Sequence, residues 1–176
     1  MSYFILSQDG RIPDAVEPVG IVKAVSKDML IETRIEELAS MNLQFPIRES
    51  KFIEYVDFIE RPVPLLSNKL KQLVEKFLPR QQYYPVGLID LTRMRQDAYW
   101  LTLPQRIDCL SDKSEYHLNG TLKRPVLDIG KLVGNCAPLF QVLGVYETIL
   151  VVNLTLAESI MRRDFYGIKL KKLDEA

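Results

Sequence analysis

The chain has 176 residues, of which 47% are hydrophobic and 26% are charged, a composition typical of one globular domain rather than of a disordered or fibrous protein. Its 23 basic and 23 acidic residues cancel, so no overall positive field attracts the chain to nucleic acid or to an anionic membrane, and we expect neither as a partner. Residues 1–64 nevertheless hold seven basic against 11 acidic side chains, whereas residues 65–176 hold 16 against 12.

The spacing of the two cysteines, Cys109 and Cys136, does not match a metal-binding motif, and two cysteines are too few for a framework of several disulfides. We therefore expect two reduced and mostly buried thiols. The apolar run at residues 3–6 is too short for a secretory leader, and no stretch approaches the roughly 20 apolar residues that span a bilayer. These features predict a cytoplasmic protein.

In the first third of the chain, residues 3–6 are aromatic and aliphatic and predict a strand that ends at the turn residues Asp9-Gly10. Residues 26–41 favour an amphipathic helix, although their apolar run also fits a strand. Residues 52–56 resemble a strand, and the two prolines of Arg61-Pro62-Val63-Pro64 predict an extended connection after it.

The clearest helix follows at Ser67, whose hydroxyl is suited to cap the free amides of the first turn. Leu70, Leu73, Val74 and Phe77 then occupy the i, i+3, i+4 and i+7 positions of one face. Pro79 comes directly after this stripe. The pattern predicts an amphipathic helix that ends before Pro79.

From residue 83 onward the chain becomes a series of short strand-like runs separated by turn residues. These runs are YYPVGLIDLT, AYWLTL, RIDCLS, SEYHL, KRPVLDIG, LFQVLG and ETILVVNL. Strands and helices are grouped rather than alternating, which predicts an α+β fold with a mostly antiparallel sheet and two to three amphipathic helices. We expect one domain over residues 1–176, with parallel βαβ winding as the alternative.

The last helix is predicted in NLTLAESIMRRDFYGIKLKKL, where Thr155 and Glu158 have the spacing of a capping box. Arg162 and Arg163 fit the last helical turn, where the helix dipole favours cations. Gly167 is suited to the left-handed residue that ends the helix, and residues 168–173 alternate like a half-exposed strand. We therefore expect the polar residues of this segment to stabilise the ends of the helix.

Catalytic signatures such as a glycine-rich phosphate loop, a paired-histidine motif or a nucleophile elbow are missing from the sequence. We therefore predict a protein without enzymatic activity, cofactor or metal. Two alternatives stay open: His117 acting as a base beside Glu115, and a cation site formed by Asp90, Asp108 and Asp128.

Residues 92–100 join two predicted strands and contain Arg93, Arg95, Tyr99 and Trp100. Arginine, tyrosine and tryptophan are the side chains that most often anchor protein interfaces, and a hairpin presents them on a rigid sheet. Trp100 also fits a core position, because aromatic side chains dominate cores as well. We take the four residues as candidates for partner binding.

The order of elements over residues 52–176 resembles a bacterial family first described as a domain of unknown function and later named immunity protein family eleven. Members share a serine-capped helix, an aspartate strand followed by a Ser-Glu step, an aspartate leading into a lysine turn, a phenylalanine strand and a closing helix with a Gly-Ile strand. The matching residues here are Ser67, Asp108, Ser114, Glu115, Asp128, Lys131, Phe140, Glu158, Gly167 and Ile168.

The resemblance implies a protein that is encoded beside a polymorphic toxin and protects its own cell by binding the toxin domain and occluding it. A basic toxin would select the acidic first half, including Glu32, Glu36 and Glu37, whereas an acidic toxin would select the arginines of residues 92–100. A self-associating structural or regulatory protein is the remaining alternative, since the sequence leaves the oligomeric state open.

Overall fold

A computed structural model describes residues 1–32, 34–135 and 137–176. In this part of the chain the helices are mostly short, and only two have eight or more residues. The helices are α1 (Ile21–Ala24), α2 (Lys27–Glu32), α3 (Ile35–Ala39), α4 (Asn68–Phe77), α5 (Ile129–Leu132) and α6 (Leu154–Met161).

The strands pair mostly in antiparallel fashion, which confirms the predicted α+β class with a largely antiparallel sheet. They are β1 (Tyr3–Gln8), β2 (Gln44–Pro46), β3 (Phe58–Ile59), β4 (Leu65–Ser67), β5 (Tyr83–Asp90), β6 (Arg95–Thr102), β7 (Arg106–Ile107), β8 (Glu115–Tyr116), β9 (Leu122–Arg124), β10 (Val126–Leu127), β11 (Leu139–Val142), β12 (Leu150–Asn153), β13 (Ile168–Lys172) and β14 (Asp174–Glu175).

The chain divides into two compact units. Unit 1 comprises Met1–Leu6, Pro104–Arg163 and Lys169–Ala176. Unit 2 comprises Ser7–Leu103 and Asp164–Ile168. The division into units does not test the expectation of a single folding domain, which stays a prediction.

Unit 2 contains a five-stranded sheet in the order β2-β5-β6-β4-β3. Its longest strands, β5 and β6, form one antiparallel hairpin, and β2 joins the outer edge of β5 in parallel. The inward-facing side chains of β5 and β6 pack on apolar residues from the first third of the chain. This core includes Ile21, Leu38, Phe45, Val56, Val86, Leu88, Tyr99 and Leu101.

Unit 1 contains a second five-stranded sheet in the order β13-β1-β12-β11-β7. On one of its faces, Tyr3 and Phe140 meet edge to face with their ring centroids 5.9 Å apart. Cys109 is fully buried in the same core, as predicted, and burial together with the nearby Asp108 carboxylate raises the pKa of its thiol to about 11. Cys136 lies outside the described residues.

Helix α4 confirms its sequence prediction. Ser67 is the N-cap, and its hydroxyl accepts a hydrogen bond from the Leu70 amide at 3.1 Å. Leu70, Leu73 and Val74 are buried, and each contributes about 2 kcal/mol through the apolar surface it removes from water. The helix ends at Phe77, two residues before Pro79.

Helix α6 begins earlier than the sequence predicts, and the Thr155 capping box is wrong. Asn153 is the N-cap, and its side-chain oxygen accepts from the Leu156 amide at 3.0 Å. Because β12 pairs with β1 through Asn153, the chain leaves the sheet at that residue and turns directly into the helix. Glu158 instead bonds Arg162 one turn later, at 3.1 Å.

Three further predictions need correction. Residues 52–56 form no strand, and only Glu54 makes an isolated bridge, to Ala15. The helix predicted over residues 26–41 is divided between α2 and α3, with Thr33 outside the described residues. Gly167 adopts a left-handed φ of 76°, but α6 already ends at Met161, so the glycine leads into β13 instead.

Candidate partner-binding surface

The β5–β6 hairpin of unit 2 carries most of the predicted partner-binding residues. Its two strands pair without interruption from Tyr83 opposite Thr102 to Asp90 opposite Arg95, and residues 91–94 form the connecting turn. A long regular hairpin in a five-stranded sheet is a rigid support for a short exposed turn. The predicted pair of strands is therefore confirmed.

The turn is held in place by a buried carboxylate. Asp90 is only 2% exposed and accepts hydrogen bonds from the Arg93 backbone amide at 3.1 Å and from the Arg93 guanidinium at 3.0 Å. The second terminal nitrogen of the same guanidinium, Nη2, donates to the backbone carbonyls of Ser50 and Lys51 at 2.9 and 3.0 Å. Arg93 thus ties the turn to a segment more than 40 positions earlier in the chain.

The ionisation of Asp90 reflects this arrangement. Burial raises the pKa of its carboxyl, but the hydrogen bonds and positive charge of Arg93 outweigh burial, so the pKa lies below its ordinary value. The carboxylate therefore stays charged at neutral pH and continues to hold Arg93.

Two large apolar side chains stand out from the turn that Arg93 fixes. Leu91 is 70% exposed and Met94 is 90% exposed. Met94 also adopts a left-handed φ of 52°, which L-residues rarely occupy. We call Leu91 and Met94 the apolar tip. The sequence analysis missed them, although two apolar residues inside a turn were a visible signal.

Strand alternation separates the predicted aromatic residues of β6. Tyr99 points inward, is 3% exposed, and donates its hydroxyl hydrogen to the Val56 carbonyl at 2.8 Å. Burial raises the pKa of this phenol well above its ordinary range. Because Tyr99 belongs to the core, we exclude it from the candidate surface.

Trp100 points to the opposite face of β6 from Tyr99 and is only partly buried. It therefore does not occupy the core position that the sequence allowed. Its indole N–H donates to the Asn68 side chain at 3.1 Å. The ammonium of Lys71 lies 4.7 Å from the Trp100 ring centroid and 5.3 Å from the Tyr83 ring centroid. Lys71 also pairs with Glu75 at 2.8 Å, so one aromatic face is already occupied.

Arg95 lies near the base of the turn on the same side of β6 as Tyr99. Its guanidinium binds Asp97 at 2.6 Å and stacks 3.7 Å above the Tyr55 ring. Since Arg93 is paired with Asp90, both arginines of the predicted patch have acidic partners. The turn therefore does not present two bare positive charges.

A groove of about 480 Å³ runs along the outward face of the hairpin. Gly87 and Ala98, which are opposite each other in the register, lie in it, and Gln44 from β2 and Gln96 from β6 border them. The complete lining is Met41, Asn42, Leu43, Gln44, Pro85, Val86, Gly87, Gln96 and Ala98. All nine of these residues are uncharged.

The predicted acidic surface lies on α2 and α3. Glu36 and Glu37 are exposed in the first turn of α3, and Glu37 pairs with Arg34 at 2.7 Å, which also lowers the pKa of its carboxyl. Glu32 ends α2, and its side chain lies outside the described residues. Glu36 and Glu37 thus lie together on one short helix. They are distant in sequence from Arg93 and Arg95, and Glu37 pairs with Arg34 rather than with either of these arginines.

The residues of the enzymatic alternatives have separate surroundings. His117 is exposed in the turn between β8 and β9, and Glu115 pairs with Lys123 and Arg124. Asp90 lies in unit 2, whereas Asp108 and Asp128 lie in unit 1. Among the described residues, no three His, Cys, Asp or Glu side chains form a group suited to a metal ion.

Several residues that carry the family resemblance have structural contacts. Asp128 caps α5, accepting from the Gly130 amide at 2.9 Å, and Lys131 binds both Asp108 and the Leu110 carbonyl at 2.9 Å. The Ser114 hydroxyl exchanges two hydrogen bonds of 3.0 Å with the backbone of Val126.

In comparisons with known proteins, no family model, no curated protein and no solved structure matches the chain. Within the part that the structure describes, every helix is too short or too polar to cross a lipid bilayer.

Proposed function

We propose that this chain is a cytoplasmic immunity-type protein that binds a cognate toxin domain and occludes it. The apolar tip carries the proposal, because Leu91 and Met94 are exposed on a turn that is fixed before any partner arrives. The resemblance to immunity protein family eleven supplies the class of partner. Inhibition by occlusion requires a stable scaffold and a complementary surface, and it does not require catalytic residues.

A fixed apolar turn suits tight binding for two reasons. Exposed leucine and methionine side chains gain free energy when a partner removes them from water. A turn already held by Asp90, Ser50 and Lys51 loses little conformational freedom on association. The entropy cost of ordering the turn therefore offsets little of the binding free energy.

The charges around the apolar tip affect which partner fits the surface more than they attract a partner from a distance. Arg93 and Arg95 are paired with Asp90 and Asp97, so the net charge near the turn is close to zero. We expect the complex to depend only weakly on salt concentration if the tip is the central contact. Strong salt dependence would instead favour the acidic helix with Glu36 and Glu37.

Co-expression tests the proposal. Each protein encoded directly beside this gene is produced in a bacterial host, alone and together with the chain, and growth is recorded. We expect one neighbour to arrest growth and the wild-type chain to restore it. The double variant Leu91→Asp/Met94→Asp should lose protection, because two charges would enter the contact.

The matched control is Leu118→Asp, which changes a fully exposed leucine in unit 1. Circular dichroism establishes that each variant is folded. If the tip variant protects as well as Leu118→Asp does, the tip is not the binding surface. If the wild-type chain neither protects nor forms a complex with its toxic neighbour, the immunity function is wrong.

A further inference from the structure

The groove beside the apolar tip has a chemistry of its own. None of its nine lining residues is charged, in a chain with 26% charged residues. A charged group that entered this groove would lose water without gaining an ionic partner, which is unfavourable. The complementary occupant is therefore uncharged where it contacts the groove.

Two glutamine side chains lie over Gly87 in the groove. A Cβ atom at Gly87 would lie 3.1 Å from Nε2 of Gln96 and 3.3 Å from Cγ of Gln44, so both glutamines reach across the glycine from the neighbouring strands. Their side chains form no hydrogen bond within the described part of the chain. Each carboxamide offers both a donor and an acceptor, which is the pairing that a peptide unit requires.

The shape of the groove fits an extended chain. The small side chain of Ala98 keeps the floor of the groove low beside the two glutamines, while Met41 and Pro85 provide apolar sides. Gln96 follows Met94 by two positions, so the groove begins next to the apolar tip. A segment of the partner that contacts the apolar tip can therefore extend directly into the groove.

We infer that this groove binds an extended, uncharged polypeptide segment of the partner protein, with Gln44 and Gln96 pairing with its backbone amides. This inference rests on the proposed function, since it places a second contact beside the apolar tip. It adds a specificity element, because side chains of the segment that carry charge are rejected.

The probe is a phage-displayed library of random heptapeptides, selected on the full immobilised chain and counter-selected on Ala98→Glu. Ala98 is exposed on β6, so the glutamate adds a charge to the groove without entering the core. Enriched peptides are synthesised and titrated by calorimetry. We expect sequences without charged residues, at least about tenfold weaker binding to Ala98→Glu, and weaker binding to Gln96→Ala.

Leu118→Glu, with the same charge change on unit 1, should leave peptide affinity unchanged. Three outcomes of the binding assays overturn the inference: enrichment of charged peptides, affinity that is unaffected by Ala98→Glu, or binding of the neutral oligosaccharide maltotriose that Ala98→Glu abolishes. Light scattering that shows a dimer of the wild type and a monomer of Ala98→Glu also overturns it, because the occupant is then a second copy.

The co-expression assay separates this inference from the proposed function. If Ala98→Glu protects cells fully while Leu91→Asp/Met94→Asp does not, the groove inference fails and the immunity function stands. If uncharged peptides bind the groove but the wild-type chain protects against no toxin, the groove is a peptide site and the immunity function fails.

Discussion

Replacing Gly167 by alanine tests how the segment of residues 164–168 is fixed in unit 2. The Gly167 carbonyl accepts from the Asp9 amide at 2.9 Å, and Tyr166 exchanges backbone and side-chain hydrogen bonds with Asp57 at 2.7 Å. Gly167 has φ of 76°, and a Cβ atom there would overlap Val56, which is 1% exposed. A methyl group therefore meets both a conformational and a packing penalty.

The two penalties can be separated. A left-handed φ costs an L-residue about 1 kcal/mol, and forcing an extra carbon into a packed core typically costs about 2 kcal/mol. We expect Gly167→Ala to lower the free energy of unfolding by about 3 kcal/mol, which corresponds to a fall in Tm of about 6–12 °C. Gly120 is the matched control, because its φ is 81° and nothing lies within 4 Å of a Cβ. Gly120→Ala should lose only about 1 kcal/mol.

Urea unfolding followed by circular dichroism measures both variants. Equal losses for Gly167→Ala and Gly120→Ala would refute the packing argument and leave only the conformational one. A double-mutant cycle gives the second check, since Val56→Ala removes the γ-carbon that lies nearest to the added methyl. The double variant should lose less than the sum of the single losses, by about 1 kcal/mol.

The remaining predictions concern capping, a thiol and a carboxyl. Asn153→Ala should lower the free energy of unfolding by about 1 kcal/mol, whereas Thr155→Ala should change it little; denaturant titration would reverse our cap assignment if Thr155 proved the costlier loss. The Cys109 thiol, with its pKa raised to about 11, should react with iodoacetamide far more slowly at pH 8 in the native protein than in urea, as followed by mass spectrometry of its peptide; equal rates would contradict its burial. Because the pKa of Asp90 is below its ordinary value of 3.8, its contribution to stability is present above pH 3.8 and is lost as pH falls through the folded-state pKa. The protection factors of the turn amides, which are exchange rates corrected for the intrinsic effect of pH, should fall over that range, and Asp90→Asn should remove this change; protection factors that stay constant would show that the contact with Arg93 does not hold the turn.

Local interactions explain which features were predictable. The Ser67 cap and the Leu70, Leu73 and Val74 stripe of α4 depend on residues within two helical turns of one another, so the sequence contains the whole pattern. The β5–β6 hairpin is similarly local, because its strands are joined by four residues. These features are present in the structure where the pattern placed them.

Errors occurred where two local patterns competed or where a distant partner was required. Asn153 and Thr155 both fit a helix start, and only the pairing of Asn153 with Tyr3 in the sheet fixes where the helix begins. Residues 52–56 have the composition of a strand, but a strand also needs a neighbour to bond its backbone, and in the structure only Glu54 forms a bridge.

By itself, the sequence determined the α+β class, the positions of most strands and the capped helix α4, because these follow from composition and short-range periodicity. Only the tertiary structure decided which face of β6 is buried, with Tyr99 inside and Trp100 outside, since alternation alone leaves both faces equivalent. The same is true of the groove. Gln44 and Gln96 meet over Gly87 because β2 and β6 flank β5, and such a meeting of distant segments depends on strand order, which no local pattern contains.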